Sequence, residues 1–439
     1  MSCILCFFDN SYQKKLKRAS YNIDTFVERL VHYKNSFMEH FRTLQPITEC
    51  DCGFRSMTVC DPLYVAFCEE VRKDFQTKET YVEQLFDSLI DIYQAVVAKS
   101  PDAENKFFSF IRENSTGYSS NNSAQFTDLL FRARPTGDYD PNNIYELFHI
   151  PFSKRHLISS QRFSAARRPM LYLAKSLPTT IAEISLPYDS LNYSLYFPIY
   201  SYFYSLGKGM YNITNSIDLT LNQIIGRMIL QGSQVQYNNY TFTFSKQNAD
   251  KLLGDSVLFQ VLTFPKKEGS TVIEEYILPQ FFTDFLESSG YTGLIYQSTK
   301  ELREFSSEFK YKSLDYNYCF FIPETEHGDY NEKFLGLFYC VSQGNKDRDR
   351  TIEEVKQLLE ECRVVIKKSN YLLNEYIILL GNIERHIENM ERFNFNGHMY
   401  YESELGKIEA TLMFSFLLKI EDVVTRPIKF NIILKNESF

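Results

Sequence analysis

Apolar residues recur at three- and four-residue steps early in the chain, at Phe26, Leu30, Tyr33 and Phe37 and again at Tyr81, Leu85, Leu89, Ile92 and Val96. That period puts each set on one stripe of an amphipathic helix, so residues 1–120 are expected to form a helical N-terminal module. The polar run from Glu113 to Ser123, rich in Ser, Asn and Gly formers of turns, breaks the pattern and marks an expected linker and domain boundary. From 126 to 343 the pattern changes. Met170–Leu173, Val257–Leu262, Gly293–Tyr296 and Tyr318–Ile322 read as short strands, and Tyr276–Ser288 reads as a helix. The expected fold class is therefore α+β, without a regular βαβ repeat. The polar segment Gly344–Arg350 leads into Ile352, Val355, Leu358, Leu359, Cys362, Val365 and Ile366, a helical period that continues toward Phe393. Residues 344–439 are expected to be a mainly helical C-terminal extension.

The aromatic stretch Tyr193, Tyr196, Phe197, Tyr200, Tyr202, Phe203 and Tyr204 has no Lys or Arg among it until Lys208, which favours a packed β surface over a base-stacking platform. A net charge of −8 over 439 residues likewise argues against nonspecific nucleic-acid binding, and 44% hydrophobic content supports a sizeable core. One stretch runs against the overall charge: Lys154, Arg155, His156, Arg162, Arg167 and Arg168 stand together with no carboxylate between them. No stretch approaches the roughly 20 apolar residues of a membrane span; even Tyr376–Leu380 is cut short by Gly381. The N-terminus lacks a basic region followed by an apolar core and cleavage site, so a cytoplasmic protein without membrane partners is expected. The nine Cys are an odd number, and Cys319, Cys340 and Cys362 lie singly in apolar runs, as reduced core thiols do.

Candidate chemistry concentrates between Leu147 and Ile184. The segment holds Leu147–Phe152, then Arg155, Arg162-Phe163-Ser164, Pro169–Leu173 and Ala182-Glu183-Ile184. Arginines and a carboxylate spaced around a strand-like run are suited to one small anionic ligand, because guanidinium forks bind phosphate and carboxylate bidentately. Glu183 follows Thr179 and Thr180 at an expected helix start, where a first-turn carboxylate interacts favourably with the dipole.

The order of these residues resembles the RES domain, a family named for its Arg, Glu and Ser, whose members include toxins that destroy NAD by cleaving its nicotinamide–ribose bond. The resemblance extends upstream to Leu130–Arg134, similar to the family's opening strand. Downstream it takes in Tyr276–Gln280 with Gly293–Lys300, similar to the helix and strand that deliver the family's Ser, and Asn317–Pro323 with Phe334–Phe338, similar to its closing strands. It implies a RES domain of ADP-ribosyltransferase-like fold over 126–343, with NAD as substrate. It implies that Arg132 and Arg162 hold the pyrophosphate, that Tyr172 packs on the nicotinamide or ribose, and that Ser298 orients the ligand. Glu183 would favour the positive charge that builds on the ribose as the bond breaks. Catalysis would then rest on Glu183, Arg162 and Ser298. The resemblance further implies a glycohydrolase or phosphorylase of toxin or defence type, with a neutralising antitoxin or regulatory protein as partner. An ADP-ribosyltransferase and a catalytically inactive RES-like interaction protein are the alternatives. Where larger family members carry a Pro-Gly turn, this chain has Ala165-Ala166-Arg167-Arg168, and the loss of the glycine implies a different turn.

Two cysteine pairs stand apart from this segment. Cys3-Ile4-Leu5-Cys6 is a C-x2-C knuckle and Cys50-Asp51-Cys52 a tighter pair, together offering four thiolates to a structural zinc, with Cys60 as a substitute ligand.

Overall fold

The computed structural model describes residues 2–51, 62–115, 128–137, 140–199, 208–213, 246–267, 273–300, 315–325, 327–344, 347–368, 373–395 and 397–425. Cys52, Cys60, residues 116–123 of the expected linker, and Tyr200, Tyr202, Phe203 and Tyr204 lie outside them. The chain divides into two compact units. One comprises Met1–Asn122, Ser160–Ala165 and Tyr211–Ser289; the other comprises Ser123–Ser159, Ala166–Met210 and Gly290–Phe439. Residues 126–343 thus contribute to both units, in place of the single expected segment.

The first unit is helical where it is described. Thr25 caps the helix Phe26–Arg42, its hydroxyl oxygen accepting from the Glu28 N–H and its hydroxyl proton going to the Glu28 carboxylate at 2.8 Å. The expected stripe of Phe26, Leu30, Tyr33 and Phe37 is buried, and Phe37 stacks on Phe41 and meets Phe86 and Phe7 edge to face. The helix Glu79–Val97 buries Leu85, Leu89 and Ile92 in the same way. Val257–Leu262, expected as a strand, is the end of the helix Lys246–Leu262. That helix buries Leu253, Val257 and Leu258 but also Asp255, Ser256 and Gln260, so it has no polar face and shows no helical period. Gly254 allows its close approach to the helix Ala103–Asn114, since a Cβ there would lie 2.0 Å from the Asn114 carbonyl oxygen. Tyr276–Ser288 holds as a helix, Ile277–Ser288.

The second unit is built on strands β1 (Leu130–Pro135), β2 (Met170–Ala174), β3 (Leu191–Pro198), β5 (Gly293–Gln297), β6 (Tyr316–Phe321) and β7 (Phe338–Gln343), in the order β5-β6-β2-β1-β3-β7, while the short strand β4 (Met210–Asn212) falls at the division between the units. Helix and sheet together give the α+β class. Neighbours from β5 to β7 pair antiparallel, with Phe131 opposite Ala174, Ala174 opposite Asn317 and Tyr172 opposite Cys319. Phe334–Phe338, expected as a strand, begins as a helical turn, Glu332–Leu335, capped by Asn331; β7 starts only at Phe338.

The two faces of the sheet belong to two apolar clusters. Phe131, Ala133, Tyr193, Leu195 and Phe197 join Val355, Leu359, Ile383, Ile408, Leu412 and Phe416 from the helices Ile352–Lys368, Leu373–Arg392 and Glu404–Thr425. The described helices between Ile352 and Thr425 therefore supply core to this unit. Leu130, Leu171, Leu173, Tyr196, Ile295, Tyr318 and Phe320 line the opposite face. Strand β3 is buried along its whole length, including Asn192 and Ser194, between the two clusters. Arg167 takes a positive φ, 68°, and its N–H bonds the Ile158 carbonyl at 3.0 Å. A side chain at that φ costs roughly 1–2 kcal/mol. Among the described residues no helix is long and apolar enough to cross a membrane, and no cysteine forms a disulfide.

Candidate functional site

Glu183 lies in the last turn of the helix Leu177–Ile184, not the first as expected. Ser176 begins that helix by accepting from the Thr179 N–H, with Pro178 in the first turn, so Thr179 and Thr180 are already inside it. A carboxylate at a helix C-terminus faces the negative end of the dipole, and the helix alone disfavours it there by roughly 0.3–1 kcal/mol. What holds it is a pair of donors from the sheet. Ser298 Oγ–H and Asn317 Nδ2–H each donate to Glu183 Oε1 at 2.7 Å. Among the described residues neither bond reaches Oε2.

Both donors are anchored. Ser298 follows β5, is fully buried, donates its N–H to Asp315 at 2.7 Å and receives the Lys300 N–H on its hydroxyl oxygen at 3.1 Å. Asn317 is buried in β6 opposite Ala174. The carboxylate they pin is itself exposed to solvent. A fixed, accessible negative charge held by buried neutral donors can meet a positive charge on a ligand without first reorganising.

The other end of the same helix is tied to the C-terminal segment. Buried Glu409 accepts the Leu177 N–H on Oε1 at 3.0 Å, and its Oε2 lies 2.8 Å from His386 Nε2. Here a carboxylate stands at the favourable end of the dipole. The helix that carries Glu183 is thus fixed at one end by Glu409 and at the other by Ser298 and Asn317.

Strand alternation decides which of the other expected residues join Glu183. Because paired residues share a face, Tyr172, Ala174, Asn317 and Cys319 lie on the side of Phe131. Tyr172 is half-buried there opposite Cys319, whose pKa burial pushes up to about 12 against the opposing effects of Tyr172 and of the Arg168 charge. Arg132 is on the other side of the sheet: Phe131 takes the Glu183 face, so the next residue cannot. Its guanidinium donates to the Tyr172 carbonyl at 2.8 Å. Arg162 belongs to the first unit, where its buried guanidinium donates to the carbonyls of Leu262 at 3.2 Å and Phe264 at 2.7 Å and lies over the Tyr276 ring. It serves the carbonyls left unpaired at the end of the helix Lys246–Leu262. The structure therefore brings Glu183, Ser298 and Tyr172 to one sheet face and leaves Arg132 on the other, while Arg162 belongs to the first unit.

Two contributors escaped the sequence reading. Asn317 was seen only as part of a strand, and its role depends on a register that local sequence does not announce. Arg168, half-buried, stood out as one of the basic cluster and of the residues replacing a turn glycine, without a role of its own, yet its charge acts on Cys319.

In the first unit, the sulfurs of Cys3, Cys6 and Cys50 all lie within 4.8 Å of one another. The fourth expected ligand, Cys52, is outside the described residues.

Over 285 residues, 64% of its length, the chain is 26% identical to a protein of Bacillus subtilis (strain 168) described as "Putative toxin YopC". The match takes in 54% of that protein, so the chain spans about half the length of the curated relative. No protein-family model matches the chain, and no solved structure matches it significantly.

Proposed function

We propose that the chain is an NAD-consuming toxin that breaks the nicotinamide–ribose bond as the RES domains it resembles do, with Glu183 as the catalytic carboxylate. The observation that carries this reading is the exposed Glu183 carboxylate pinned on one oxygen by Ser298 and Asn317. Ser298, which the resemblance assigns to orienting the ligand, hydrogen-bonds Glu183 directly, and the description of the Bacillus subtilis relative supports the toxin role.

In this reading the bond from ribose C1′ to the nicotinamide ring nitrogen breaks heterolytically. Its electron pair leaves with the ring, which departs as neutral nicotinamide, so no general acid is needed. Positive charge develops on the ribose and meets Glu183 Oε2, while Ser298 and Asn317 keep Oε1 in place. Because this interaction strengthens only as the charge develops, it lowers the barrier more than it tightens substrate binding. Tyr172 offers an aromatic surface to the nicotinamide or ribose. Arg162 is committed to backbone carbonyls, so half-buried Arg168, two residues ahead of β2, is the cation we assign to the pyrophosphate. Water or phosphate then adds at C1′, the entering oxygen giving its proton to solvent. A cell making such a toxin needs a neutralising partner protein.

Incubating purified chain with NAD, with and without phosphate, tests the reading. Nicotinamide should appear together with ADP-ribose, or with its 1″-phosphate when phosphate captures the sugar. No nicotinamide in either condition would contradict it.

A further inference from the structure

We infer that Cys3, Cys6 and Cys50 bind a zinc ion that clips the N-terminus of the chain to the first unit. The site is independent of the NAD chemistry and belongs to the unit that does not carry Glu183. Three backbone features assemble it. Cys3 is the N-cap of the helical turn Ile4–Phe7, which puts Cys6 one turn away on the same side. Residues 2 and 3 run beside Gln45, through a bridge between Cys3 and Gln45 and a bond from the Gln45 N–H to the Ser2 carbonyl at 3.0 Å. The short helix Ile47–Glu49 then turns the chain so that Cys50 faces that pair.

The resulting distances suit a metal. Tetrahedral zinc with bonds of about 2.3 Å holds its sulfurs about 3.8 Å apart. Cys6 and Cys50 sulfurs are 3.9 Å apart, and no pair among the three exceeds 4.8 Å. Cys3 and Cys50 are buried and Cys6 is partly exposed, which shields the site yet leaves an entry path. Behind them Phe7 and Phe8 pack into the cluster of Phe37, Phe41 and Phe75, the dry shell that favours a metal–thiolate centre. On binding, each ligating thiol gives its proton to solvent, so the metal should be lost on acidification.

Zinc analysis of full-length chain purified in reductant without chelator, followed by cobalt titration of chelator-stripped chain, tests the site. About one zinc per chain and a thiolate-to-cobalt charge-transfer band are expected. Cys3→Ser and Cys50→Ser should each weaken binding by more than the roughly 10- to 100-fold that loss of an outer-shell partner costs. Cys68→Ser, a buried cysteine outside the cluster, should bind like wild type. Wild-type chain that takes up neither zinc nor cobalt would overturn the proposal, and this result does not depend on any variant folding. Unchanged zinc content in the Cys3→Ser and Cys50→Ser chains, or a Cys6–Cys50 disulfide that persists in reductant, would overturn it as well.

Discussion

Mild acid should weaken the second unit through His149. The imidazole is fully buried, with the rings of Phe148, Phe152 and Tyr330 at 4.7, 4.9 and 5.5 Å. Nδ1 lies 2.7 Å from the Ile150 carbonyl and so carries the proton, while Nε2 accepts the Asn331 N–H at 3.0 Å. A second proton has only Nε2 to occupy, where it would meet that N–H and break the bond. Burial lowers the pKa to about 4, helped by the charges of Arg132 and Arg134 and opposed by the Ile150 carbonyl. Unfolded, the residue titrates near its ordinary value of about 6.5. Between those values the unfolded chain binds more protons than the folded one, so the His149 contribution is complete above the upper value and is lost as pH falls toward the lower. The gap of about 2.5 pH units corresponds to at most about 3 kcal/mol, less whatever water reaches the charged ring. Urea unfolding of wild type and His149→Gln at neutral pH and again near pH 4 measures it. Wild type should be the more stable at neutral pH and should lose about 3 kcal/mol more than the variant on acidification. Parallel losses in the two proteins would refute the argument.

Arg167→Gly should stabilise the chain, because it removes the side chain from a residue at φ 68° and keeps the N–H bond to Ile158. The gain is about 0.5–1 kcal/mol after the extra chain entropy of glycine, a rise of roughly 2 °C in thermal midpoint by calorimetry; a fall would show that the Arg167 side chain stabilises the turn by other means. Glu409→Ala should cost about 3 kcal/mol, since it leaves the buried Leu177 N–H and His386 without their acceptor. Hydrogen exchange should show the first turn of the Leu177–Ile184 helix losing protection, whereas unchanged exchange there would mean that Glu409 does not hold the helix.

The helical stripes were legible because each has one polar face, as at Phe26, Leu30, Tyr33 and Phe37. The helix Lys246–Leu262 was not, since burial on all sides removes the period, and its apolar end reads equally well as a strand. Helix ends depend on which of several capping residues wins. Ser176 begins the Glu183 helix ahead of Thr179 and Thr180, and that shift moves Glu183 from the favourable to the unfavourable end of the dipole. The resemblance singled out Glu183 and Ser298 but gave them separate roles, so their hydrogen bond was not legible in it, and the part of Asn317 required the β2–β6 register. The faces of β1 were hidden because both are apolar: Phe131 meets one cluster and Leu130 the other, so alternation alone could not say which side Arg132 takes. The shared core of β3 with the C-terminal helices was likewise beyond local sequence, being made by contacts far apart in the chain.

The most direct test of the account is nicotinamide release by wild type and Glu183→Gln at equal protein and saturating NAD, with NAD affinity measured alongside by calorimetry. The glutamine can still accept from Ser298 and Asn317 through its amide oxygen, but it carries no charge to set against the ribose. The account predicts that kcat falls by on the order of 10² or more while NAD affinity stays within a few-fold of wild type. Wild-type turnover by Glu183→Gln, or loss of turnover matched by an equal loss of NAD binding, would contradict it.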